Sequence, residues 1–230
     1  MTRYAIYFVP SADTALWRFG CKAVGYDSQA RADIDFHENP FYAQESARDW
    51  TADPRRYGFH ATLKPPFALA DGSTIEGLEK AAITFTKERQ AFQMPRLKVA
   101  PIGSFLALVP EVSSQELSSL AADCVRIFEP FRAPLSAADR DRRLRSPLTE
   151  KQVENLDAWG YPYVFDDFRF HMTLSGRLPD AVQQDALAAL RDLYRHVDQP
   201  VTFDPALTIR SCCSLATDRD LLEAATIFDT

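Results

Sequence analysis

The tetrapeptide HATL at residues 60–63 returns as HMTL at 171–174, so two of the chain's four histidines occupy the same local setting. In YGFHATL and FRFHMTL, aromatic or β-branched side chains alternate with small or polar ones, the pattern of a half-buried strand. On a strand, residues two apart point to one face. His60, Thr62 and Lys64 are therefore expected to share a face, with Phe59, Ala61 and Leu63 behind them. His171, Thr173 and Ser175 repeat that arrangement, with Phe170, Met172 and Leu174 behind. A lone H-x-T is weak evidence of a site, because most such matches are ordinary structure. Two of four histidines both followed by x-T-L is a coincidence on the order of one in ten thousand at ordinary residue frequencies.

The rest of the chain is ordered around these two segments. Residues 3–9, RYAIYFV, read as a strand. A helix capped by Ser11 or Asp13 should follow, carry Leu16, Trp17 and Phe19, and end at Gly20 or Gly25. Pro65 and Pro66 are expected to stop the first H-x-T strand. A helix from Ser73 or Thr74 to Gln90 then leads to strands near 96–100 and 104–109. Ser113 or Ser114 opens a further helix, and 133–146 form a charged connector that includes DRDRR. Thr149 and Gln152 match a capping box for a helix ending near Gly160. Residues 161–174 read as strand, 180–197 as a long amphipathic helix, and VTFDPALTIR and SCCSLAT as β-rich runs. Strand, helix and strands thus recur over 57–109 and 168–217. That spacing is too long for a solenoid and fits a duplication within one domain spanning 1–230.

Two imidazoles facing each other across a cleft suit cleavage of a phosphodiester. Near neutral pH a neutral imidazole accepts a proton from the nucleophile while a protonated one supplies a proton to the leaving oxygen. The hydroxyls of Thr62 and Thr173 are placed to hydrogen-bond the phosphoryl oxygens as charge builds there. This scheme requires neither a metal nor a cofactor. The formal charge of −6 and the pI near 5.3 argue against coating a nucleic acid by bulk electrostatics. A small phosphorylated substrate in a local basic pocket remains compatible with that charge. Cys21, Cys124, Cys212 and Cys213 form no C-x-x-C pair, and the opening MTRYAIYFVP does not read as a signal peptide. No stretch approaches the roughly 18–20 apolar residues that span a bilayer. A cytoplasmic protein with no membrane association and no obligate protein partner is the expectation.

The tetrads HATL and HMTL resemble those of the two-histidine phosphoesterase superfamily. RRYGFHATLKPPF, FLALVP, PFRAPL, WGYPYV and FRFHMTLSGRL are similar to one bacterial branch of it, labelled phosphonate-metabolism proteins. The resemblance covers the chain to about residue 180 and fades beyond. It implies an α+β, bilobal, pseudo-two-fold duplicated fold, with antiparallel sheets lining a central cleft and helices outside. It carries the superfamily's histidine pair to His60 and His171 and its hydroxyl pair to Thr62 and Thr173. The implied activity is a metal-independent phosphodiesterase acting on a small cyclic phosphate or related ester, with phosphonate metabolism as the setting.

Lys64, Arg169 and Tyr7 are further substrate-binding candidates, each with an ordinary structural role as its rival. Lys64 can be a solvated lysine, Arg169 can pair with Asp166 or Asp167, and Tyr7 can pack in its strand. DRDRR reads as a solvated mixed-charge segment rather than a nucleic-acid contact. His37 and His196 lack the threonine partner and are read as a loop residue and a residue near a helix C-terminus. The pair Cys212–Cys213 reads as two strand positions. Two other functions compete: RNA 2′,3′-cyclic phosphodiesterase or end-processing chemistry, and a non-catalytic nucleotide- or phosphate-binding module. A two-histidine metal site is the weakest rival, since no carboxylate stands at a supporting spacing.

Overall fold

The computed structural model describes residues 2–197, 201–203, 207–213 and 224–227. The chain begins with β1 (Thr2–Phe8) and α1 (Ala15–Val24), then a small hairpin of β2 (Tyr26–Asp27) and β3 (Ala32–Asp33). Two single-turn helices, α2 (Ala47–Trp50) and α3 (Ala52–Arg55), lead into β4 (Ala61–Phe67). Next come α4 (Ile75–Lys87), β5 (Phe92–Gln93), β6 (Leu97–Ile102), β7 (Phe105–Pro110) and α5 (Gln115–Ile127). After α6 (Ala137–Leu144) and α7 (Glu150–Trp159), β8 (Met172–Thr173) carries the second tetrad. The chain then forms α8 (Asp180–Tyr194), β9 (Thr202–Phe203), β10 (Leu207–Cys213) and β11 (Ala224–Ile227).

Local chemistry explains the helix boundaries. Thr14, rather than Ser11 or Asp13, caps α1: its hydroxyl accepts from the Trp17 amide at 3.1 Å. Gly25 ends that helix in the left-handed region at φ 75°, which costs glycine no Cβ clash. Thr74, Ser114 and Ser136 cap α4, α5 and α6 in the same way. The Thr149–Gln152 capping box opens α7, and Gly160 closes it.

Seven strands form one antiparallel sheet in the order β11-β10-β1-β4-β8-β7-β6. The two H-x-T segments are thus adjacent strands at its centre. One face carries Ile6, Phe8, Leu63, Leu106, Leu108, Met172 and Leu174 into a core shared with α1, α4, α5 and α8. Each fully buried side chain of this kind contributes roughly 1.5–3 kcal/mol. The apolar residues behind the histidines accordingly fix which way the histidines point.

Two expectations about the H-x-T strands are corrected. Pro65 and Pro66 do not stop β4; they lie within it. The β1 register steps from Tyr7↔Thr62 to Ile6↔Lys64 and then to Tyr4↔Phe67, so the extra residues are absorbed as bulges. The bulge also moves Lys64 off the His60 face, because it pairs with Ile6 and not with a residue of Tyr7's parity. In the second copy, 161–174 is not a long strand. Residues Phe165–Asp167 form a 3-10 turn, and only Met172–Thr173 pair as strand. The amide of Gly176 then donates to the Trp50 carbonyl at 2.6 Å, while the amides of Leu174 and Leu178 donate to the Leu106 and Ser104 carbonyls, so the chain follows β7 irregularly rather than as a regular strand.

Candidate active site

Ala61 lies opposite Met172 across the β4–β8 pair. One step to either side of that pair, the antiparallel register sets His60 against Thr173 and Thr62 against His171. All four side chains share the face opposite the core. Directly opposed residues bring their Cβ atoms to about 5 Å, and the two histidines, being diagonal neighbours, stand roughly 7 Å apart. All four are half-buried, with Phe59, Ala61, Phe170 and Met172 buried beneath them.

The two rings are held in the same way. His60 Nδ1 lies 2.8 Å from the Gly58 carbonyl oxygen, and His171 Nδ1 lies 2.8 Å from that of Arg169. In each case the acceptor belongs to the residue two before the histidine. A carbonyl only accepts, so Nδ1 is the protonated nitrogen in both rings. That leaves Nε2 as the lone-pair nitrogen of the neutral imidazole, available for proton transfer. The Thr62 hydroxyl is 3.3 Å from His60 Nε2. Gly58 makes this possible in the first copy. Its φ of 74° turns the chain out of α3 and aims its carbonyl back at the ring, while its amide donates to the Pro54 carbonyl at 2.9 Å.

Packing beneath the first histidine is close. A Cβ on Gly20 would stand 2.1 Å from the Phe59 ring, so α1 approaches β4 closely only because residue 20 is glycine. Tyr7, on the neighbouring strand opposite Thr62, stacks on the His60 ring with centroids 3.8 Å apart and planes at 24°. Tyr57 meets the same ring edge-on at 6.5 Å. Across the site Phe105 stands 6.0 Å from the His171 ring. The sequence reading missed Tyr57, Phe105 and the two carbonyl anchors. Backbone carbonyls leave no side-chain signal, and only the glycine before F-H hinted at one of them.

Of the supporting candidates, Tyr7 joins the site, although it is 3% exposed and touches the ring rather than open space. Lys64 does not join it. Its side chain is 2% exposed, and its ammonium donates to the Val125 carbonyl and to Glu129 Oε2, both at 2.9 Å. Arg132 grips the other Glu129 oxygen through Nε and a terminal nitrogen at 2.8 and 2.6 Å. Burial pushes the Lys64 pKa down, and the Glu129 carboxylate opposes that push. The cluster fastens β4 to the C-terminal end of α5. Arg169 is exposed and makes no ion pair among the described residues; its carbonyl is the group that serves the site. Asp167 is taken up by Gln152 and Asn155. His37 bonds the Phe19 carbonyl at 3.0 Å, and His196 follows α8; neither belongs to the site. The side chains of Cys212 and Cys213 lie outside the described set. Among the described residues no group of three or more His, Cys, Asp or Glu side chains is placed to hold a metal ion, and no helix is long and apolar enough to cross a membrane.

The arrangement defines a paired imidazole–hydroxyl site at the centre of an antiparallel sheet in a mixed α+β fold. Residues 62–211 match the family described as "Protein of unknown function (DUF1045)", and the chain belongs to that family. Two curated relatives share its sequence. A protein of Janthinobacterium sp. (strain Marseille) named "Ribose 1,5-bisphosphate phosphokinase PhnN" is 38% identical over 181 residues, covering 79% of this chain and 40% of the relative. One of the same name from Laribacter hongkongensis (strain HLHK9) is 30% identical over 178 residues, covering 77% and 41%. The chain therefore spans about two fifths of the length of these relatives.

Proposed function

We propose that this chain is a metal-independent phosphodiesterase of the two-histidine phosphoesterase type, acting on a small cyclic phosphate or related ester. The observation that carries this reading is the register around Ala61↔Met172, which sets each histidine against the other copy's threonine. The strand order outward from that pair, β1 and β10 on one side and β7 and β6 on the other, supports a pseudo-two-fold relation between the halves. In the reaction one Nε2 takes the proton of a water whose oxygen attacks phosphorus. The other, protonated, gives its proton to the ester oxygen as the P–O bond breaks. Thr62 and Thr173 donate to the non-bridging oxygens, where negative charge rises in the transition state.

The relatives' names favour a ribose phosphate as the substrate class, and they also raise a kinase reading. A P-loop kinase needs a G-x-x-x-x-G-K-[ST] loop to cradle nucleotide phosphates. Here Gly25 of the Gly20–Gly25 pair is followed by Tyr26, and Gly77 of the Gly72–Gly77 pair by Leu78. The phosphokinase name is therefore better assigned to the part of those longer proteins that this chain does not match. Phosphonate breakdown, the setting that the resemblance implies, is compatible with a ribose phosphate ester. The charge of −6 weighs against long RNA as substrate.

The test is turnover in EDTA of ribose 1,2-cyclic phosphates, 2′,3′-cyclic nucleotides and RNA ending in a cyclic phosphate. The expected result is metal-free hydrolysis of a small cyclic phosphate, lowered by about 10²–10⁴ in His60→Ala and in His171→Ala. Turnover of a substrate with either histidine dispensable would overturn the mechanism.

A further inference from the structure

The charged run DRDRR forms most of α6, and its helix is not merely solvated. Arg3 and Tyr7 lie four residues apart on β1, which pairs with β10 without a register break from Thr2 to Phe8, so both point to the face that bears His60. Arg3 donates to Asp139 Oδ2 at 2.6 Å and thereby ties α6 to the edge of that face. That same oxygen accepts the Ser136 hydroxyl at 2.9 Å, and Oδ1 takes Arg142 at 2.6 Å. Arg143, one turn along from Asp139, lays its guanidinium over the Tyr161 ring at 4.8 Å. Its Nε is buried and has no hydrogen-bond partner among the described residues. Two guanidinium groups thus share one carboxylate, and a third, Arg143, lies near them with a buried donor unused among the described residues. A buried donor left unpaired is costly, and a bound anion that completes its bonding is one physical reason to keep it.

We infer that Arg3, Arg142 and Arg143 form a subsite for a second, non-reacting phosphate at the far end of the substrate. This rests on the phosphodiesterase reading for the reacting phosphate alone. Arg3 and Tyr7 are about 13 Å apart along β1 at a rise of ~3.3 Å per residue, and the subsite requires the arginine forks to close that span to one that a phosphorylated pentose bridges. A dianion there neutralises the two uncompensated positive charges and offers acceptors in the plane that guanidinium forks prefer. The cluster also supplies the local basic pocket that an acidic protein needs in order to select a small anionic substrate.

The experiment is calorimetric titration with ribose 5-phosphate, inorganic phosphate and unphosphorylated ribose. It compares wild type, Arg143→Gln, Arg3→Gln and the double variant His60→Ala/His171→Ala, each checked for folding by thermal melting. Arg143→Gln removes no ion pair among the described residues and carries the test if Arg3→Gln fails to fold. Expected are binding of ribose 5-phosphate at least tenfold weaker in Arg143→Gln, binding within twofold of wild type in the double histidine variant, and none of ribose. Undiminished binding in Arg143→Gln, binding lost only with the histidines, or no binding of either phosphate by wild type would overturn the subsite. Arginine-dependent binding without turnover of any cyclic phosphate would leave the subsite standing and remove the phosphodiesterase reading. Turnover with arginine-independent binding would do the reverse.

Discussion

His60 directly precedes a seven-residue strand and has Tyr7 stacked on its ring, whereas His171 precedes a strand of two residues and has Phe105 at 6.0 Å as its ring neighbour. The first copy is further fastened by Lys64, Glu129 and Arg132, and by Phe59 seated on Gly20. The second gives way within five residues to irregular chain, where the Gly176 amide bonds the Trp50 carbonyl. What the copies share is narrower: an Nδ1 anchored on the carbonyl two residues back, an Nε2 directed outward, and a threonine across the strand pair. The shared part is what proton transfer to and from a phosphoester needs. The unshared part separates the two histidines in rigidity and surroundings, and so supplies a physical basis for unequal roles.

Variants on the two sides probe that difference. The largest effect is expected at Lys64. Lys64→Met leaves Glu129 with Arg132 alone and removes a buried charge from one side only, a loss of about 3 kcal/mol in urea unfolding. Turnover below the melting temperature should stay within a few-fold of wild type, because Lys64 faces the core. A large fall in kcat with unchanged stability would return Lys64 to the site. Next in size is the ring stack. Tyr7→Ala is expected to lower kcat/KM about tenfold, or ~1.4 kcal/mol, by releasing His60 to other rotamers, and Tyr7→Phe should recover most of that loss. Phe105→Ala, which removes a looser contact, should cost less than Tyr7→Ala; equal losses would mean that the copies do not differ in how the ring is held.

The smallest effect concerns Asp139 on the first copy's side of the sheet. The guanidinium of Arg3 holds its carboxyl below the usual range, with Ser136 and Arg142 helping. The folded pKa is then lower than the unfolded one, so the stabilisation is complete above the ordinary carboxylate range. It is lost as pH falls through the folded value. Between about pH 6 and pH 3 wild type should lose up to ~1 kcal/mol more stability than Asp139→Asn, a figure already reduced for solvent screening. Parallel acid profiles would show that Arg3 and Asp139 are not coupled in solution.

Much of this was legible in the residues. The period-2 alternation in YGFHATL, the helix caps at Thr74 and Ser114 and the Thr149–Gln152 box follow from local chemistry, which the sequence contains in full. The pairing of the two tetrads was legible only because they are duplicates. Lys64 was misplaced because parity arguments assume an unbroken register, and the bulge at the double proline inverts parity within two residues. The second copy looked like a long strand because FRFHMTL has the composition of one. The 3-10 turn at Phe165–Asp167 just upstream breaks that run, and Trp50, which takes the Gly176 amide, lies far outside any local window. Arg143 was read as solvated for the same reason: Tyr161, which covers its guanidinium, is eighteen residues away.

The paired-histidine mechanism is tested most directly by the pH dependence of kcat/KM in EDTA for wild type, His60→Gln and His171→Gln on whichever cyclic phosphate turns over. The account predicts a bell for wild type, the alkaline limb lost when the acid is replaced and the acidic limb lost when the base is replaced. The two variants should therefore lose opposite limbs. Two variants that keep the full bell, or that lose the same limb, would contradict it.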